Sequence, residues 1–84
     1  MEFIKEGERI YSKDENGKVI AEIEYKEIEH GIFEIYHTFV DESLRGKGVA
    51  SSLVQEAVEQ IQSKNGKIIA SCSYAKKWLE HNKL

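Results

Sequence analysis

Apolar and polar side chains alternate from residue 18 to residue 26. Val19, Ala21, Ile23 and Tyr25 fall on one side, Ile20, Glu22, Glu24 and Lys26 on the other. A period of two with one polar face predicts an antiparallel strand resting on a core. A short edge strand is expected before it at residues 9–13. The two are joined through Asn16 and Gly17, a pair that supplies the positive φ values of a tight hairpin. Glu29, His30 and Gly31 make the next turn. Residues 32–40 then read as a strand rich in β-branched and aromatic side chains. Strict alternation puts Phe33, Ile35, His37 and Phe39 on one side. Tyr36, Thr38 and Val40 are substantial on the other, so this strand is expected to be central and partly covered on both faces.

Beyond Lys47 or Gly48 the period changes. Val49, Ala50, Leu53, Val54, Ala57, Val58 and Ile61 recur at three- and four-residue spacing, with Gln and Glu between them. This predicts an amphipathic helix. Lys64 falls in its last turn, and Gly66 is free to take the left-handed cap. A short apolar strand over residues 67–72 follows. Strand, helix and strand in succession form a right-handed crossover, so the 32–40 and 67–72 strands should run parallel. Ser73 can cap a last short helix to about Asn82, with Ala75, Trp78 and Leu79 as its inner stripe. The expected class is α/β (an α+β mixed sheet): an antiparallel meander, then β-α-β, then a short C-terminal helix.

Composition narrows the function classes. The 84 residues are 40% hydrophobic and 32% charged, the balance of one small globular domain over 1–84. The single cysteine cannot form an internal disulfide and suits a reducing compartment. No signal-peptide core or membrane-spanning run is legible, so a cytoplasmic location and no membrane partner are expected. Net charge is −3, and no basic stripe of the kind that binds nucleic acid is present. The three histidines are scattered and give no metal motif.

The most informative segment is Arg45, Gly46, Lys47, Gly48, Val49, Ala50 and Ser51, between a strand and a helix. Two glycines allow close backbone approach. The first helical turn presents unpaired N–H groups to an anion, and Arg45 and Lys47 add charge. A diphosphate suits such a mouth; a plain tight turn is the bland alternative. The spacing does not match a Walker A loop, because only Lys47 separates the two glycines, nor the dinucleotide fingerprint, because Ser51 stands where the third glycine or alanine belongs.

This segment resembles the signature of the GNAT superfamily of acyl-CoA-dependent N-acyltransferases. The pattern Gln/Arg-x-x-Gly-x-Gly/Ala is realised as Arg45, Gly48 and Ala50, with Val40 five residues before the arginine. The resemblance covers about residues 19–82. It is nearest to very short GNAT-like proteins that end in a stretch like residues 72–79 here. It implies acetyl-CoA or coenzyme A as cofactor, with the pyrophosphate on the backbone of residues 45–50 and Ser51 leaving room beside it. The pantetheine arm would lie between the strands ending near Val40 and Cys72. A backbone N–H near Phe39 or Val40 would hold the thioester carbonyl. An amine, as a small molecule or a peptide, would be the acceptor. The chain departs from the family in lacking helices between the first two strands and a final strand pair. In the last helix, the pattern Asn-x-x-Ala-x-x-aromatic-Tyr becomes Cys72, Ala75, Trp78 and Leu79, so the frequent general-acid tyrosine is a leucine.

Two residues are candidates for the chemistry. Cys72 stands where the pantetheine arm would pass and just before a helix, which favours a reactive thiol; a buried small hydrophobe and a simple cofactor contact are the alternatives. His37 suits proton removal from an ammonium group, with a core histidine as the alternative. Tyr74 is a further candidate acid. Glu22, Glu24 and Glu34 lie on outward-leaning faces that attract a cation or are merely solvated. The reading is acetyl transfer from acetyl-CoA to a primary amine, by direct attack or through Cys72. The alternatives are a CoA-binding module with weak or no catalysis, and a structural domain that binds no CoA. A homodimer is left open as a way to complete the pocket.

Overall fold

A computed structural model describes residues 1–83. The elements are β1 (Ile4–Glu6), β2 (Arg9–Lys13), β3 (Val19–Glu29), β4 (Ile32–Val40), α1 (Val49–Ser63), β5 (Lys67–Ala70) and α2 (Ser73–His81). A 3-10 turn at Glu42–Leu44 links β4 to the glycine segment. The strands form one sheet in chain order, antiparallel from β1 to β4 and parallel between β4 and β5. The mixed α/β class, the meander and the parallel crossover are as the periodicity predicts.

Both helices contribute to one core on one face of the sheet. Leu53, Val54, Ala57, Val58 and Ile61 of α1 and Ala75 and Leu79 of α2 join Ile10, Ala21, Ile23, Tyr25, Phe33 and Ile35 of the strands. Tyr25 is fully enclosed yet satisfied, its hydroxyl donating to Gln60 Oε1 at 2.6 Å. Its ring meets Phe33 edge-on at 6.0 Å.

Several expectations are corrected. Arg9–Lys13 is not an edge strand, because Ile4–Glu6 pairs outside it through a turn in which Gly7 has φ +57°. β5 ends at Ala70, so Ser71 and Cys72 have already left the sheet. The left-handed residue after α1 is Asn65, φ +58°, and not Gly66. Gly66 is required for a different reason: a Cβ there would lie 2.6 Å from the Phe33 ring. The N-cap of α2 is Cys72, and Ser73 is already helical. Trp78 is half-buried at the margin of the core, its indole donating to Ser51 Oγ at 2.9 Å.

The correction with most consequence lies in β4. Its register against β3 runs Ala21 with Val40, Ile23 with Thr38 and Glu24 with His37, and then jumps to Tyr25 with Ile35. Tyr36 is therefore the extra residue of a β-bulge. Alternation reverses there. Phe33 and Ile35 face the helices before the bulge, and Thr38 and Val40 face them after it. His37 and Phe39 turn to the other side of the sheet, which no helix covers; Tyr36 and Phe39 stay 40% and 41% exposed there. The strand is thus covered mainly on its helical face.

Candidate functional site

The site grows out of the place where β4 and β5 part. Their pairing ends at Ile35 and Ala70. Ser71 still donates to the Ile35 carbonyl at 3.1 Å, and Cys72 reaches it at 3.5 Å. Beyond that point β4 has no partner on this side. The Asp41 N–H donates to the Ile20 carbonyl. In an antiparallel pair the backbone groups alternate between neighbours. Counting back by twos along that register, Phe39 and His37 point their backbone groups at β3, and Val40 and Thr38 point theirs into the opening. Of the two residues expected to supply a backbone N–H, Val40 is the one whose N–H faces the gap.

Asp41 fixes the chain's exit from β4. Its carboxylate accepts from the Ser43 N–H at 3.1 Å and the Ser43 hydroxyl at 2.6 Å, and these bonds hold it below the usual carboxylate range. The 3-10 turn then delivers the glycine segment. Gly46 has φ +79° and Gly48 φ +73°, and a Cβ on either would meet nothing within 4 Å. The glycines are there for their backbone angles, in open space.

Gly48 is also the N-cap of α1 and has no side chain to cap it. The Arg45 N–H is spent on the Glu42 carbonyl and the Lys47 N–H on the Leu44 carbonyl. The N–H groups of Gly46, Gly48, Val49, Ala50 and Ser51 have no acceptor among the described residues. Those of Gly48 to Ser51 lie at the start of α1, the positive end of its dipole. A cavity of about 340 Å³ opens over them, lined among others by Val40, Leu44, Arg45, Gly46, Gly48, Ala50 and Tyr74. Lys47 and Phe39 do not line it.

Cys72 sits on the opposite arm of the opening. Its Sγ is 3.0 Å from Thr38 Oγ1, a contact that bridges the parted strands on the helical side. Burial pushes the thiol up, but the Thr38 hydroxyl and the N–H groups of Ala75 and Tyr74 outweigh it, and the net shift is downward. Those two N–H groups belong to the first turn of α2 and are directed at the sulfur without closing a full cap hydrogen bond. Thr38 carries no signal of this role in the sequence, because without the bulge it is expected to face away from the core set.

His37 is not beside Cys72. It lies on the uncovered face, its Nε2 3.1 Å from Glu22 Oε1. Ligand atoms of Glu22, Glu24 and His37 fall within 4.8 Å of one another. Glu22 is also held by Arg9, whose guanidinium stacks on Tyr11 at 3.8 Å. The scattered histidines thus give a mixed carboxylate–imidazole group only through folding. His30 and His81 are exposed, as expected for a turn and a helix end. Leu79 is 7% exposed and faces the core, so it has no path to the opening.

The comparisons with known proteins decide the family. The sequence profile of the GCN5-related N-acetyl-transferases matches residues 9–84. The chain belongs to this family. It is similar to a GCN5-like protein from Staphylococcus aureus solved by NMR, with 36% identity and a TM-score of 0.81 over 98% of this chain and 80% of that one. A GNAT-family acetyltransferase from S. aureus Mu50 shares the fold at 13% identity, TM-score 0.71, over 88% of this chain and 50% of that one. An acetyltransferase from Trypanosoma brucei does so at 22% identity, TM-score 0.67, over 90% and 60%. The chain therefore spans about half to three-fifths of these larger relatives. No helix among the described residues is long and apolar enough to cross a membrane.

Proposed function

We propose that this GNAT chain transfers an acetyl group from acetyl-CoA to a primary amine, carried by a small molecule or a peptide. One observation carries the reading: five free N–H groups at an uncapped helix start open directly onto a gap between parted strands. The pieces fit the cofactor. The Gly46 and Gly48 to Ser51 backbone, with Arg45, would hold the diphosphate, and the gap beside Val40 would take an extended arm that pairs with free strand backbone. When bound, acetyl-CoA supplies an acetyl group activated as a thioester.

The chain's own residues divide the remaining work by sheet face. On the uncovered face His37, braced by Glu22, would take the proton of an ammonium acceptor, and Glu24 would favour a cationic one. The Val40 N–H would stabilise negative charge on the carbonyl oxygen. On the helical face Cys72, its thiol lowered by Thr38, stands where a proton donor or acyl carrier would act. Placement of His37 and Cys72 on opposite faces favours direct transfer, with Cys72 serving the leaving side. The depressed thiol is the observation that favours the second reading, an acyl-Cys72 intermediate.

Calorimetric titration with acetyl-CoA, and with desulfo-CoA in parallel, tests the binding half. Binding of both is expected; binding of neither removes the donor site. Turnover with a panel of amines by Cys72→Ala and His37→Gln variants tests the chemistry. A fully active Cys72→Ala enzyme rules out an obligatory acyl-cysteine. A CoA-binding chain that acetylates no amine in the panel would support the reading as a binding module.

A further inference from the structure

The sheet has two edges, and they differ. β1 forms one of them with three residues, Lys5 tied to Glu56 at 2.7 Å and Glu6 to Arg9 at 3.7 Å. Short length and charge are how an edge is protected against stray pairing. β5 forms the other, and Ile68, Ile69 and Ala70 carry no charge to guard it.

The open side of β5 can be read from its bonds. The Lys67 N–H donates to the Gly31 carbonyl at 2.7 Å and the Ser71 N–H to the Ile35 carbonyl at 3.1 Å. Backbone groups alternate sides along a strand, so Ile68 and Ala70 turn their N–H and C=O groups away from β4. No other strand of the described residues lies there to pair with them. The side chains alternate as well. Ile68 and Ala70 pack against the core, so Lys67 and Ile69 stand on the uncovered face. Ile69 is 45% exposed. Glu34 of β4 lies beside it in register, and its carboxylate accepts from the Ser71 hydroxyl. Lys67 is exposed and makes no ion pair among the described residues.

We infer that β5 pairs antiparallel with β5 of a second copy of this chain, about a two-fold axis at Ile69. In that register Ile68 lies opposite Ala70 of the partner subunit, and the two exchange both backbone bonds, which satisfies the outward groups of the strand. Ile69 meets its own counterpart at the axis, and each covers the other's exposed side chain. Lys67 falls opposite Ser71 of the partner subunit, the residue whose hydroxyl holds Glu34 of the partner subunit, so a cation meets a carboxylate at both ends of the seam. An apolar centre with opposite charges at matching distances on either side is self-complementary, as an isologous contact requires. The inference does not rest on the acetyl-transfer reading. The seam runs along the outer side of β5 and the opening between β4 and β5 lies on the inner side, so each copy keeps its own opening.

Four residues of strand make a contact below the size of a permanent interface. A reversible dimer with a dissociation constant on the order of 0.1 mM is therefore expected. Sedimentation equilibrium of the full chain from about 10 µM to about 1 mM spans that range. Amide exchange read by NMR at the two ends of the range locates the contact: Ile68 and Ala70 should exchange more slowly in the concentrated sample, and Lys67 and Ile69, already directed at β4, should not change. Ile69→Lys is a surface change that sets like charges at the axis and should weaken association at least about ten-fold. Lys67→Glu and Glu34→Lys should each weaken it about three- to ten-fold, because like charges then face each other at both ends. An equimolar mixture of those two variants should associate again, since only the mixed pair restores opposite charges across the seam; a merely damaged fold gives no such recovery. A chain that stays monomeric at the highest concentration overturns the inference, as does a dimer indifferent to Ile69→Lys and to mixing. Slow exchange at Ile68 and Ala70 in a chain that stays monomeric would assign the edge to a segment of the same chain and overturns it as well.

Discussion

Replacing Gly66 with alanine adds one methyl group at the most crowded of the glycines. Its Cβ would stand 2.6 Å from Cδ1 and Cε1 of Phe33 and 2.8 Å from Cγ2 of Ile61. Carbon atoms in contact prefer about 3.5–4.0 Å, so the ring must retreat by about 1 Å. It has little room: Phe33 is 5% exposed and packs edge-on against the fully buried Tyr25. Ile61 is 0% exposed and anchored in α1. Gly66 does not have a left-handed φ, so backbone strain contributes nothing to the expected loss. At a site with free space, Gly→Ala would stabilise by about 0.4–1 kcal/mol through the unfolded chain. Overpacking here should instead cost about 1–3 kcal/mol. For a domain of this size that lowers Tm by roughly 5–20 °C. Urea and thermal unfolding followed by circular dichroism measure it. Adding Phe33→Leu to Gly66→Ala should cost less than the two single changes combined, since the smaller side chain yields the space. A Gly66→Ala protein as stable as the parent, or more so, would refute the account of why a glycine is needed at that position.

Neighbouring Asn65 takes the left-handed turn at φ +58°, so Asn65→Gly should gain a few tenths to about 1 kcal/mol in the same unfolding assay; a loss would show that its side chain matters more than its backbone. Gly48→Ala meets no atom within 4 Å but must hold φ +73°; it should cost about 1–2 kcal/mol by strain alone, and Gly48→Val should in addition weaken CoA titration, an unchanged affinity arguing against the cradle. Thr38→Val removes a group that holds the Cys72 thiol below its ordinary pKa, so the pH profile of iodoacetamide alkylation should move to higher pH, and an unmoved profile would exclude Thr38 as a cause. The sign for stability follows: a thiol lowered by folding stabilises above the unfolded pKa, and that contribution fades as pH falls through the folded one. The pH-dependent part should therefore be smaller in the Thr38→Val protein.

The glycine turn was legible because its signals are local. Arg45, Gly48 and Ala50 sit within one turn of chain, and the helix they open announces itself by its own period. β1 is not legible in the sequence, because three residues carry too little pattern to announce a strand. The sequence points to Ser73 as the N-cap of α2 because it has the better capping side chain, but Cys72 holds the capping position. Residue type points to Gly66 for the left-handed cap, whereas Asn65 takes it and the glycine makes room for the Phe33 ring.

The amino-acid pattern alone determined the element types, their order, the antiparallel meander with its parallel crossover and the glycine turn that opens α1. These follow from periodicities and turn residues that act over a few neighbours. What only tertiary structure decided is the face on which each candidate group stands. A single extra residue at Tyr36 inverts every side chain beyond it, because strand alternation has a period of two. That inversion parts His37 from Phe33 and Ile35 and sends it to Glu22. It also brings Thr38 to Cys72 from 34 residues away. Bulges arise from how a strand must bend to meet its neighbours and its helix, and no local pattern within residues 32–40 announces one.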